Sequence, residues 1–321
     1  MTDPLAPPAT GGAAAREGSA SPAAVWSALS VVYVVWGSTY LAIAFLVETM
    51  PPLLSMGVRF VCASVLLGAI VAVRQGPRAL AVSRANLAAT LLVATLLLAG
   101  GLGAVTLAEE AGVASGVAAL LVAAMPLWLV LLRAGSGDRP SRSTLAGVLT
   151  GFAGIAILVL PGSGTGGSAL GPVLGMVGIL LGTLSWALGS FLSPRLPLPA
   201  NPFALTTWEM LLGGLVLCGI GLLRGEAAEV DPADFSAASL WAWAYLIVVG
   251  SVVAFTAFVW LLGNARLSLI STYAYVNPVV AVLLGSLFRD EPLTSAVVVG
   301  GAVTVAGVVL VVRGERPDAP I

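Results

Sequence analysis

Apolar residues in this chain come in blocks approaching or exceeding the roughly 20 residues that cross a bilayer as helix, and short loops or turns separate the blocks. Ten spans follow from that pattern: 23–46, 53–73, 87–108, 112–132, 143–160, 172–192, 203–223, 239–262, 267–288 and 293–312. Only a very short hairpin, with Glu109, Glu110 and Gly112, divides the third from the fourth. Composition agrees, because 59% of the 321 residues are hydrophobic and 9% are charged. The expectation is an all-α membrane protein. The stretch 1–22, rich in Ala, Pro, Gly and Ser, lacks the basic start and short apolar core of a cleaved leader, so it reads as a disordered cytoplasmic tail before a first helix that acts as an uncleaved membrane signal.

Charge changes the picture in two ways. All 14 basic residues are Arg and there is no His, which removes histidine metal sites, Ser/His/Asp triads and lysine Schiff bases. Nucleic acid is not a plausible partner for so lipid-facing a surface. Cys62 and Cys218 fall inside apolar spans and read as small core residues. The arginines also orient the chain. With the N-terminus inside, cytoplasmic segments hold Arg16, Arg74, Arg78, Arg84, Arg133, Arg139, Arg142, Arg195, Arg266, Arg313 and Arg316, and the outer loops only Arg224 and Arg289.

Internal repetition is the most informative signal. Pro22 and Pro172, Trp36 and Trp186, Pro52 and Pro202, and Arg59 and Glu209 are each 150 residues apart; Pro126 and Pro278, like Pro140 and Pro292, are 152 apart. Gly147 and Gly154 match Gly300 and Gly307 at 153. Each repeat holds five spans, and five is odd, so the second enters the membrane upside down. The predicted fold is therefore ten transmembrane helices as two inverted five-helix repeats: a first repeat at 23–161, an outer linker at 162–171, a second repeat at 172–313 and a tail at 314–321. Such repeats place a site near the midplane, between halves that rock against each other.

An ionisable group in hydrocarbon costs roughly 2.5 to 3.5 kcal/mol on insertion scales, which makes Arg59 and Glu209 the leading candidates. Each lies seven residues past its proline, or about 10 Å of rise, but from opposite faces of a core about 30 Å thick. Three arrangements are open. A static salt bridge is disfavoured by that separation; both groups line a central cavity, Arg59 holding a carboxylate and Glu209 an ammonium or a proton; or Arg59 snorkels outward while Glu209 is protonated or faces the cytoplasmic vestibule. Glu209 is the candidate for proton coupling, ahead of Glu48, Glu109 and Glu110 near the outer ends. Tyr33, Trp36 and Tyr40 share a helix face, with Thr183, Trp186 and Ser190 as their repeat equivalents, and these face the bundle as substrate contacts or as aromatic packing. Tyr273 and Asn277 precede Pro278, which frees a carbonyl one turn earlier. The equivalent positions near Pro126, Leu121 and Met125, are apolar.

Other features read more plainly. Trp241, Trp243 and Tyr245 open a span and suit an interfacial belt. Gly162, Gly164 and Gly167 satisfy G-x-G-x-x-G but follow a span rather than a strand, so they read as a connector. Gly147, Gly151 and the small residues from Gly300 to Gly307 suit close helix packing or a dimer contact, leaving a monomer or a weak homodimer.

The segments VVYVVWGSTYLAIAF and MPPLLSMGVRFVCASVLL, with GTLSWALGSF and YVNPVVAVLLGSLFRDEPLTSAVVVGGAVTVAGVVLVV in the second repeat, resemble the EamA-type ten-helix exporters of the drug/metabolite transporter superfamily, from about Trp26 to Arg313. The resemblance implies a bacterial inner-membrane carrier that exports amino acids and related metabolites, with both termini cytoplasmic. The chain departs from the family twice: the acidic residue before a repeat's fifth helix is Glu291 in half two but half one reads DRPS, and Glu209 stands where the family more often has a neutral amide. The expected function is a secondary transporter working by alternating access, with a small-molecule substrate, surrounding lipid, and no cofactor or metal. An uncoupled facilitator is the alternative. An intramembrane enzyme is the competitor from another class, and Glu209 alone is a poor catalytic set for it.

Overall fold

Helices start where the sequence supplies start signals. The Ser21 hydroxyl accepts from the Ala24 amide ahead of Pro22 in the first turn of α1 (Pro22–Leu46), and Asn201 caps α7 (Pro202–Arg224) ahead of Pro202. Ser83 and Asn86 form a reciprocal capping box at the start of α3 (Arg84–Glu110), and Ser236 accepts from the Ser239 amide at the start of α8 (Ala237–Asn264). The remaining spans are α2 (Pro52–Gln75), α4 (Ser115–Gly135), α5 (Arg142–Val159), α6 (Leu170–Leu192), α9 (Tyr273–Arg289) and α10 (Ser295–Gly314). This computed structural model describes residues 21–159, 170–265 and 267–314, with the backbone alone at 267 and 268. The expected tails and the glycine-rich connector with Gly162, Gly164 and Gly167 lie outside the described residues.

Among the described residues no strand occurs, and nine helices are long and apolar enough to cross a membrane; α9 is apolar but shorter, at 17 residues. The hairpin between α3 and α4 is real: Gly112 takes φ +90°, and the Val113 amide reaches back to the Ala108 carbonyl at 3.0 Å. The ninth span differs from expectation. A short turn of helix at Leu267–Ile270 comes first, the chain bends at Ser271 and Thr272, and α9 then runs through Pro278. In α4 the break instead falls at Ala123 and Ala124, immediately before the segment that carries Pro126.

The repeat is inverted and its halves are interleaved. Repeat equivalents pack face to face as α2 on α7, α4 on α9 and α5 on α10, while α1 packs on α8 and α9, and its counterpart α6 on α3 and α4. The groups that this packing defines, α1 with α8 and α9, and α6 with α3 and α4, each mix both sequence halves. Glycines permit the closest approaches. A Cβ on Gly154 would come within 2.7 Å of the Gly300 carbonyl, and one on Gly307 within 2.7 Å of the Gly147 carbonyl. These glycines are consumed by the α5–α10 contact within one chain, so they no longer speak for a dimer.

The third span of each repeat carries a matching irregularity. Thr95–Leu102 in α3 and Leu246–Val253 in α8 are π-helical. Each closes with a bond across five residues, Gly103 amide to Leu98 carbonyl and Ala254 amide to Val249 carbonyl, 151 residues apart. Widened turns of this kind redirect side chains and occur often at functional sites. Here α2 packs on the π-turn of α8, and α7 on that of α3.

Candidate functional site

Polar contacts define two faces. On the near face, where α1 begins and α10 ends, the Asn201 amide donates to Gln75 at 2.7 Å and the Asn86 amide to the Pro197 carbonyl at 2.8 Å. On the far face Arg289 pairs with Glu48, and Arg224 pairs with Glu226 at 3.0 Å and Glu110 at 3.4 Å. There too, Glu226 accepts from the Leu54 amide at 2.8 Å, and Glu291 accepts from the Ser115 amide, the Ser115 hydroxyl and the Gly116 amide at 2.8, 2.7 and 3.0 Å. Glu291 thus caps the first turn of α4 from across the repeat boundary.

Between the faces, α1, α8 and α9 gather one group of the expected site residues. Trp36 lies 5.0 Å from Phe258, 5.3 Å from Tyr273 and 5.4 Å from Phe255, ring centre to ring centre. The Tyr33 hydroxyl bonds to Thr272. Asn277, turned so that its Nδ2 faces them, donates to the Tyr33 and Tyr273 carbonyls at 3.3 Å each. Tyr40 lies one turn further along α1, partly buried against the main core.

Arg59 is 3% exposed on α2 and reaches the π-turn of α8. Its Nε donates to the Ser251 hydroxyl at 3.2 Å, the guanidinium lies 4.7 Å from the Phe60 ring centre, and a Cβ on Gly250 would meet both Arg59 Nη2 and the Thr39 methyl. Among the described residues no carboxylate is within ion-pair distance of it. Glu209 is half-buried on α7, again with no hydrogen bond or ion pair among the described residues. The antiparallel register of α2 and α7 explains why the two do not meet. Gly57 faces Gly214 and Cys218 while Gly68 faces Thr207, which sets Arg59 and Glu209 about six residues, or about 9 Å, apart along the helix axes. The static bridge is not formed.

The second-repeat candidates belong to the other helix group. Thr183 accepts from the Trp128 indole at 3.1 Å, Trp186 lies flat against Gly101 in the π-turn of α3, and Ser190 is half-buried further along α6. They do not join the Trp36 cluster. Sequence reading missed Ser251, Thr39, Thr272, Phe255, Phe258 and Trp128; the one available signal was the Gly250–Ser251 interruption of the apolar run LIVVGSVV. The expected aromatic belt is also corrected. Only Trp241 is outward, at 77% exposure, whereas Trp243 donates to the Ser55 carbonyl and Tyr245 bonds to Ser38.

Ten apolar helices in two inverted repeats, with polar groups buried where the repeats interleave, define a membrane protein of the class that includes secondary transporters. The comparisons place it further. The EamA-like transporter family matches twice, at residues 22–160 and 173–313, and the chain belongs to that family. It is 38% identical over 299 residues to the uncharacterized inner membrane transporter YedA of Escherichia coli (strain K12), covering 92% of this chain and 94% of that one. It is 33% identical to Protein PecM of Dickeya dadantii over 39% of this chain and 42% of that one. A protein crystal structure superposes with a TM-score of 0.58 over 90% of this chain and 96% of the other at 20% identity, which shows the shared fold. The chain is therefore a transporter, as its lack of a catalytic set led us to expect, rather than an intramembrane enzyme.

Proposed function

We propose that the protein exports small carboxylate-bearing metabolites, amino acids or close relatives, across the bacterial inner membrane by alternating access, with both termini cytoplasmic. The observation that carries this reading is a broken symmetry. The near-face ends of α1 and α8 and the short turn of helix ahead of α9 form their own small core, Val25, Leu29, Val32, Leu261 and Ile270, apart from the main one. Their repeat equivalents, the far-face ends of α6, α3 and α4, are fused into the main core through Val105, Ala108, Val113, Met176 and Ile179. Two inverted halves in unlike environments are what one end state of an alternating carrier requires: shut at the far face, parted at the near face.

Arg59 supports the substrate class. A buried guanidinium with no counter-ion among the described residues is a standing site for an anion, and its planar fork matches a carboxylate. The aromatic wall from Trp36 to Tyr273, with Asn277 behind it, suits the rest of a small zwitterion, while Glu209 takes the ammonium or a proton on the near-face side. Inner-membrane placement rests on likeness to YedA, orientation on the arginines, and export on the resemblance.

The test is uptake of a panel of radiolabelled amino acids into proteoliposomes, wild type beside Glu209→Gln, with and without an imposed pH gradient. Loss of gradient stimulation with exchange retained is expected. Gradient-independent transport in the wild type would make the protein an uncoupled facilitator, and no transport of any amino acid would overturn the substrate class.

A further inference from the structure

Glu109, one residue before the end of α3, is 6% exposed, and neither of its carboxylate oxygens has a hydrogen-bond partner among the described residues. The neighbouring cations are committed elsewhere. Arg289 pairs with Glu48 and lies 5.0 Å from the Phe45 ring centre, and Arg224 pairs with Glu110 and Glu226. The ionisable groups on the neighbouring elements are Tyr40 on α1, Arg289 at the end of α9 and Glu291 just beyond it, all close enough to act on Glu109 through space. Glu110 follows it on α3; α6, packed beside it where Gly175 meets Ala108, carries no ionisable side chain, and Arg59 lies deeper on α2.

An ionised carboxylate here would be buried with no donor, beside the like charge of Glu291, whereas the neutral acid incurs far less desolvation cost. Among the described residues no group of three His, Cys, Asp or Glu gathers to hold a metal ion, so the ligand such a site takes is a proton. Inverted symmetry then dictates when it is exchanged. In the other end state of the proposed cycle the far-face ends of α6, α3 and α4 separate from the main core, as the small core of α1, α8 and α9 is separate from it at the near face, and water reaches Glu109.

We propose that Glu109 is a proton-binding site of the far-face gate, filled while that face is shut and emptied into far-side water when it opens. This rests on the alternating-access reading and is separate from any coupling at Glu209, which lies on the other side of the site. Closing the face takes up a proton, so low far-side pH favours the shut state and high pH the open one.

The test uses Val113→Cys, buried in the shut gate, in a background lacking Cys62 and Cys218 and reconstituted in lipid vesicles. Labelling by a membrane-impermeant maleimide is measured between about pH 5.5 and pH 8 and normalised to the exposed Ala111→Cys, which removes the thiol's own pH response. Normalised labelling should rise at least about fivefold across that range, within the tenfold per pH unit that one linked proton allows, and should be low and flat in Glu109→Gln. Glu109→Asp should keep the rise, which separates titration from damage to the fold. The infrared signal from protonated carboxyls at neutral pH should lose one component in Glu109→Gln, and that component should persist in Glu209→Gln. A flat wild-type profile, an unchanged rise in Glu109→Gln, or an infrared signal indifferent to Glu109 would each overturn the proposal. Neither readout needs a transported substrate, so a flat profile in a protein that transports would sink the proton site alone.

Discussion

A guanidinium held at 3% exposure by a serine, a methionine sulfur and a phenylalanine ring, with no acid beside it among the described residues, is the most demanding residue of the site. If Arg59 grips a carboxylate through two parallel bonds, charge alone will not replace it. Arg59→Lys is expected to raise the KM for a carboxylated substrate about tenfold, or about 1.4 kcal/mol, and Arg59→Gln to abolish uptake, both measured in proteoliposomes against the wild type. Arg59 was visible in the sequence because a charge inside an apolar span is costly and stands out against its neighbours. Trp36 and Tyr273 were visible through helical spacing and the proline landmark. Their partners Phe255 and Phe258 were not, because an aromatic residue in an apolar run offers no contrast. Nor did the offset of 150 carry environment along with position: Trp36 meets three rings, while Trp186 lies against a glycine.

At the scale of helices, prolines and capping residues marked most ends to within a few positions, since an unsatisfied first turn must be capped by something the sequence shows. The π-turns in α3 and α8 were not legible, because a five-residue bond needs no particular side chain, and the small pairs that they share at matching positions, Ala99–Gly100 and Gly250–Ser251, are common in membrane helices. Close packing of α5 on α10 gives a sharper expectation. A side chain on Gly307 meets backbone at Gly147 rather than a yielding side-chain tip. Gly307→Val should therefore destabilise the protein by at least about 1–3 kcal/mol, seen as a lower unfolding temperature in detergent, while the same change at Gly178, with open space around it, should leave that temperature near the wild-type value. A large loss at both positions would mean that α5 and α10 are not the fixed scaffold described.

Over the whole molecule, the ten-span inverted repeat was readable from a handful of paired prolines, tryptophans and glycines, but the grouping of spans was not, because repetition along a chain does not say which copies will touch. The moving groups should be α1 with α8 and α9 against α6 with α3 and α4, leaving α5 and α10 as a fixed pair. A short bismaleimide bridge between Glu48→Cys and Arg289→Cys, in a background without Cys62 and Cys218, locks only one side of the far face to itself, since both residues belong to the first group. It should leave uptake near the wild-type level. A bridge from Glu291→Cys to Ser115→Cys ties α9 to α4 across the two groups and should lower uptake at least about tenfold if each cycle must open that face.

The Glu291 cap has one further consequence. Its repeat counterpart is Arg139, exposed in a loop and of the wrong charge to receive backbone amides. If the protein alternates access as proposed, this cap latches one face with no equivalent at Arg139, and a door with a single latch comes to rest shut on that side. On the proposed orientation the idle protein waits with its binding groups turned to the cell interior, so cargo is boarded before anything has to unlatch, and the journey outward begins from the state in which the machine already sits.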